Sequence, residues 1–197
     1  MSKTIDYYLA LMSPWCYLGH QRLIDLAKRK GATIAYKPID FGPVLTAGGG
    51  LPLAQRAPAR QAYRLVELPR WSAYLGIPLT LKPKYFPVPD TKPAGMVIAA
   101  GRAGQDMGKL AGAFLRAVWA DERNIADDAD LEAIAQAEGY DGKALLAQAM
   151  APEMQAVRAA NTEEALARQV FGLPTYMLAG EMFWGQDRLD FLERALG

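Results

Sequence analysis

Apolar and polar positions change rhythm several times along the chain. Residues 4–11, TIDYYLAL, form a short run of aromatic, aliphatic and β-branched side chains closed by Ser13-Pro14, which predicts a strand. Leu18, Leu23, Ile24, Leu26 and Ala27 then lie on one helical face, and Gly31 ends the pattern. Ser13 suits the cap position and Pro14 the first helical residue, so the helix begins there. ATIAYKPID follows as a second strand stopped by Pro38. A strand, a helix and a strand in this order favour parallel pairing through a right-handed crossover.

The rhythm is lost at GPVLTAGGGLPLAQRAP (42–58), which reads as a Gly/Pro-rich loop. Alanine-rich helical pattern then runs to about residue 170. It is broken only at 76–93, where prolines at 78, 83, 87, 89 and 93 predict a constrained irregular segment. GQDMGKLAGAFLRAVWAD, DADLEAIAQAEGY and DGKALLAQAM each open on polar or acidic residues and continue at helical spacing. In NTEEALARQVFG, Asn161 or Thr162 is expected to cap a helix that Gly172 stops, with Glu163 and Glu164 at its positive end. LPTYMLAG and EMFWG read as two strands around a Gly180-Glu181 hairpin turn, and QDRLDFLERALG as a closing helix.

Composition narrows the function. At 197 residues and 51 % hydrophobic, the chain can bury one good core with an inserted subdomain. Lys plus Arg (22) balance Asp plus Glu (21), and no basic cluster with interleaved aromatics occurs, so a nucleic-acid partner is not expected. No segment approaches the ~20 apolar residues that cross a bilayer, and the start lacks a secretory cleavage pattern. The single cysteine, Cys16, permits no internal disulfide and agrees with a reducing, cytoplasmic setting. No metal site is expected.

Two places carry candidate chemistry. Ser13-Pro14-Trp15-Cys16 sits at a strand-to-helix junction where a Cys-x-x-Cys motif would signal dithiol exchange, yet a serine stands first. By local sequence alone a plain helix cap is the favoured reading of Ser13, and a small buried hydrophobe that of Cys16. His20, four residues on, puts a Cys16–His20 contact within reach. The second place is Gly172-Leu173-Pro174-Thr175, a proline directly before a strand, for which an ordinary trans bond is the default.

Taken together, this order of elements resembles the thioredoxin fold, whose proline before the third strand is cis and faces the reactive helix. The insert further resembles DsbA-type oxidases. LMSPWCYLG, YRLVELPRWSAYLGIPL, FGLPT and FWGQDRLDFLE, in register over essentially the whole chain, resemble the family of 2-hydroxychromene-2-carboxylate isomerases and kappa-class glutathione transferases. The implied fold is α/β: a thioredoxin-like domain from residues 1–45 and 155–197, with 46–154 as an inserted helical domain.

The resemblance implies glutathione as cofactor, so that the sulfur is borrowed and Ser13 activates it rather than attacking. A hydroxyl donor and free N–H groups at a helix N-terminus favour the thiolate, the reactive form of a thiol. Leu173, before cis-Pro174, is implied to pair its backbone with the cysteinyl part of glutathione. Trp184, Gly185, Gln186 and Asp187 are implied to hold the γ-glutamyl end, with Asp187 toward the ammonium group. Gln186 stands where asparagine or serine is usual. Their local alternatives are a capping Asp187 and a core Trp184.

For the aromatic carboxylate substrate, the implied region includes the Gly48-Gly49-Gly50 loop, Gln55, Arg56 and Tyr85. The lysine that some isomerases carry after the second strand is absent, with Leu45 and Thr46 in that stretch. The implied activity is glutathione-dependent cis–trans isomerisation to trans-o-hydroxybenzylidenepyruvate, in a homodimer. A glutathione transferase on the same scaffold is the near rival, and glutathione binding without turnover a further one. A DsbA-like thiol–disulfide oxidoreductase is disfavoured, because position 13 offers no attacking sulfur.

Overall fold

The computed structural model describes residues 3–197. Strand β1 (Thr4–Leu9), helix α1 (Pro14–Lys30) and strand β2 (Thr33–Pro38) form the expected unit, with β1 and β2 parallel. Ser13 caps α1, Pro14 opens it, and Gly31 closes it in the left-handed conformation. β1 ends at Leu9 rather than Leu11, and residues 10–13 turn into the helix.

After β2 come α2 (Phe41–Ala47), α3 (Pro58–Leu75), α4 (Thr91–Arg102), α5 (Met107–Trp119), α6 (Asp128–Ala137), α7 (Gly142–Ala149) and α8 (Pro152–Ala167). Strands β3 (Thr175–Leu178) and β4 (Glu181–Trp184) and helix α9 (Leu189–Leu196) close the chain. The sheet order is β2-β1-β3-β4, with β3 antiparallel to both neighbours. This is the thioredoxin-like α/β arrangement with a helical insertion. No helix among the described residues is long and apolar enough to cross a membrane.

Three expectations are corrected. The first part of the presumed 42–58 loop is helical, because Asp40 caps α2 by accepting from the Gly42 amide at 3.1 Å, and Pro43 falls in the first turn, where its missing N–H costs nothing. No helix starts at Asn161 or Thr162. Both lie inside α8, where Asn161 donates to the Pro38 carbonyl and Thr162 Oγ1 accepts from the Asp40 amide, so their polarity serves the β2–α2 junction. The β3–β4 turn is Ala179-Gly180, both with positive φ, since Leu178 pairs with Glu181.

The sheet has two dissimilar faces. Tyr7, Tyr36 and Tyr176 stack beneath α1, with ring centroids 5.4 to 6.0 Å from Tyr7, and form the core there with Leu23 and Leu26. On the other face Tyr8 donates to Glu164 (2.9 Å), which also accepts from Lys37 (2.6 Å). Arg168 completes the cluster through Asp6 at 2.6 Å, fastening the end of α8 across β1. α8 packs on both α4 and β2, so it joins the insert to the sheet. α5 packs on α1, and His20 holds the Gly108 carbonyl at 2.8 Å across that contact.

Candidate active site

Three segments end at one end of the sheet. Leu9 closes β1, Thr175 opens β3, and Trp184, its partner, closes β4. The Ser13 turn, Leu173–Pro174 and Gly185–Asp187 therefore meet there. Sequence places each of them correctly on a junction; the sheet register makes them neighbours.

Ser13 lies at the start of α1, with its amide donating to the Ala10 carbonyl (3.1 Å) and its carbonyl accepting from Tyr17 (3.0 Å). Its hydroxyl oxygen accepts from the Cys16 amide at 3.2 Å, and its proton lies within reach of the neutral Cys16 thiol, a weak acceptor that a sulfur anion would outcompete. Pro14 has no N–H and the Trp15 amide has no described partner, so a free donor lies beside that hydroxyl. A hydroxyl and an unpaired amide at the positive end of a 17-residue helix suit an anion.

Two distant side chains hold this turn. Asp90 accepts from the Leu11 amide at 2.8 Å and from Arg158 at 3.0 Å. Burial pushes its carboxyl up, and the Arg158 charge opposes that shift. Trp119, fully buried at the end of α5, donates Nε1 to the Met12 carbonyl at 3.1 Å. Sequence reasoning missed both, and neither has a local signal.

The Leu173–Pro174 peptide is cis. Neither the amide nor the carbonyl of Leu173 has a described hydrogen-bond partner, although the residue is buried, so its main chain is available to an added strand. The Pro174 carbonyl accepts from Gly185 (2.9 Å), which ties the two segments together. Gly185 has φ 110, a conformation that any side chain would resist.

Gln186 is buried, and its side-chain oxygen is occupied by Arg22 at 2.6 Å. It packs against Gly19, where an added Cβ would lie 3.0 Å from the Gln186 Cβ and 2.7 Å from the Tyr176 hydroxyl. Asp187 is exposed and paired with its neighbour Arg188 at 2.5 Å. The amides of Gln186 and Asp187 have no described partner. Trp184 is half-exposed and lies edge-on to Phe171 with centroids 4.7 Å apart, so it is not a core residue.

The substrate candidates are more scattered. Gln55 is exposed at the end of a short 3-10 turn, and Arg56 is half-buried with its Nε bonded to the Leu51 carbonyl at 2.8 Å. Tyr85 is half-buried, with Lys84 over its ring.

A family model described as a DSBA-like thioredoxin domain matches residues 4–197. A 2-hydroxychromene-2-carboxylate isomerase from Sphingobium xenophagum is 34 % identical over 199 residues, spanning 100 % of this chain and 99 % of its own. The chain belongs to the DsbA-like family, among the 2-hydroxychromene-2-carboxylate isomerases. An isomerase of that name from Pseudomonas putida is 33 % identical over 98 % of this chain and 94 % of its own. A solved structure of 2-hydroxychromene-2-carboxylate isomerase superposes with a TM-score of 0.82 at 30 % identity, covering 98 % of this chain and 94 % of that one.

In this member of the DsbA-like family the one cysteine is not placed for redox work. Cys16 is fully buried, and burial, opposed by hydrogen bonding with Ser13 and Tyr7, leaves its thiol at about 11. His20 does not join it as a pair. The Tyr7 hydroxyl stands between them, 3.4 Å from His20 Nδ1, and burial lowers His20 to about 4. Both are core groups on the buried face of α1.

Proposed function

We propose that the chain is a glutathione-dependent isomerase acting on 2-hydroxychromene-2-carboxylate or a similar aromatic-degradation intermediate. Its relatives of that name match it over nearly their full length. The observation that carries the glutathione part is the unpaired main chain of buried Leu173 at the same sheet end as the Ser13 hydroxyl and the unpaired Trp15 amide. These groups fit an extended thiol peptide. An intrinsic dithiol reading has only Cys16, buried and protonated.

Bound there, glutathione would supply a thiolate nucleophile that is regenerated by the end of the isomerisation. The chain's own residues do the rest. Ser13 donates its hydroxyl proton to the sulfur anion, and the Trp15 amide adds a second donor. Leu173 aligns the peptide through its N–H and C=O. The amides of Gln186 and Asp187 receive a carboxylate, and the Asp187 carboxylate takes the ammonium group once it leaves Arg188. Gln186 acts by its main chain, because its side-chain oxygen already serves Arg22. Arg56, Gln55 and Tyr85 border the acceptor. Holding both partners in a reactive orientation supplies the remainder of the rate.

The reading includes a homodimer in a reducing cytoplasm. The outward face of α3, with Tyr63, Val66 and Tyr74 exposed, supports the first, and a lone buried thiol agrees with the second. The test is turnover of a chromene carboxylate with substoichiometric glutathione. Many turnovers per glutathione support an isomerase, stoichiometric consumption identifies a transferase, and no rate beside measurable binding leaves a glutathione-binding protein.

A further inference from the structure

Arg64, midway along α3, is a cation without a counter-ion. Its guanidinium lies 5.2 Å from the Phe86 ring centroid and 5.6 Å from that of Trp119. Its Nη2 is buried and has no hydrogen-bond partner, and no carboxylate among the described residues forms an ion pair with it. The charge that acts on it most is another cation, Arg56; burial and that like charge together bring Arg64 down to about 10. Removing a guanidinium from water against aromatic rings, beside a second positive group, is costly unless an anion arrives.

Its position says which anion would matter. Trp119, on whose ring Arg64 rests, donates to the carbonyl of Met12, the residue before Ser13. The two rings hold the guanidinium plane, and a fixed fork of N–H donors matches a carboxylate. Arg64 as a whole is half-buried, so part of the side chain is reachable from outside while Nη2 itself is covered.

We propose that Arg64, with Arg56 beside it, is the receptor for the carboxylate of the aromatic acceptor and orients that acid toward the Ser13 turn. This rests on the acceptor being an aromatic carboxylate, as in the function proposed above. The same fork could receive a carboxylate of glutathione, and the experiment separates the two sources.

Calorimetric titration of the full chain with chromone-2-carboxylate, an unreactive acid of that class, reads the site without any reaction. Arg64→Met, which keeps the apolar stem against the rings, should weaken binding about tenfold to a hundredfold. Uncharged chromone and S-methylglutathione should bind the variant as they bind the wild type. Arg64→Lys should fall between, since it keeps charge and loses the fork. Should Arg64→Met not fold, the wild type alone decides, by preferring chromone-2-carboxylate to its carboxamide about tenfold or more. Equal affinity of wild type and Arg64→Met for the acid, or no preference over the carboxamide, overturns the proposal. A loss confined to S-methylglutathione overturns it too, by giving the charge to the cofactor. If acid binding depends on Arg64 while glutathione is neither bound nor used, the proposed reaction fails and the receptor stands.

Discussion

Acidification should unfold this protein partly through one buried ring. His20 is the only histidine in the chain, is 3 % exposed, and has its proton affinity lowered to about 4 by burial, with the Gly108 carbonyl opposing. In the unfolded chain it titrates near 6.5. As pH falls the unfolded state takes the proton first, so stability is complete above about 6.5 and is lost between there and about 4. A separation of about 2.5 pH units corresponds to about 3 kcal/mol at full protonation, and about 2 kcal/mol has gone by pH 5.

His20→Gln keeps a donor for the Gly108 carbonyl and removes the titration. Urea unfolding of both proteins at pH 7, 6 and 5, followed by tryptophan fluorescence, isolates this contribution from the carboxylates, because they are common to both. The wild type should lose about 2 kcal/mol more than the variant between pH 7 and 5. Parallel losses, or a single histidine resonance titrating near 6.5 in the folded protein, would mean that His20 is not the source of the acid sensitivity.

Other substitutions test the site and its supports. Ser13→Ala removes a cap, at about 1 kcal/mol of stability, and a donor to sulfur; the bound thiol should rise by about one pKa unit, read by ultraviolet thiolate absorbance. Cys16→Ala should leave turnover unchanged, and native Cys16 should resist a disulfide reagent until the chain unfolds. Asp90→Ala strands the buried Arg158 charge and the Leu11 amide, and should cost about 3–5 kcal/mol in denaturant unfolding. A loss below 1 kcal/mol would mean that Asp90 does not hold the turn.

The β1-α1-β2 unit and the Ser13 cap were legible because their signals are local: a strand run, a cap, a proline and a glycine in succession. The same local logic misread α8, where Asn161 and Thr162 look like caps but bond across to Pro38 and Asp40. It missed α2 because Gly42 and Pro43 speak for a loop until the Asp40 cap is seen to place them in the first turn. The supports of the Ser13 turn were invisible for another reason. Asp90 reaches Leu11 over 79 residues and Trp119 reaches Met12 over 107, and nothing in the neighbourhood of either end marks the other. Nothing in the sequence singles out Arg64; only the fold shows that it meets rings and no acid.

The proposed reaction requires the protein to hold glutathione as a thiolate against the start of α1. Titrating the wild-type chain with glutathione at neutral pH and following thiolate absorbance tests it without a substrate. Saturable absorbance with an apparent thiol pKa at least one unit below the free value of about 8.5 is the predicted result. No binding at millimolar glutathione, or binding with the thiol still protonated at neutral pH, would contradict it.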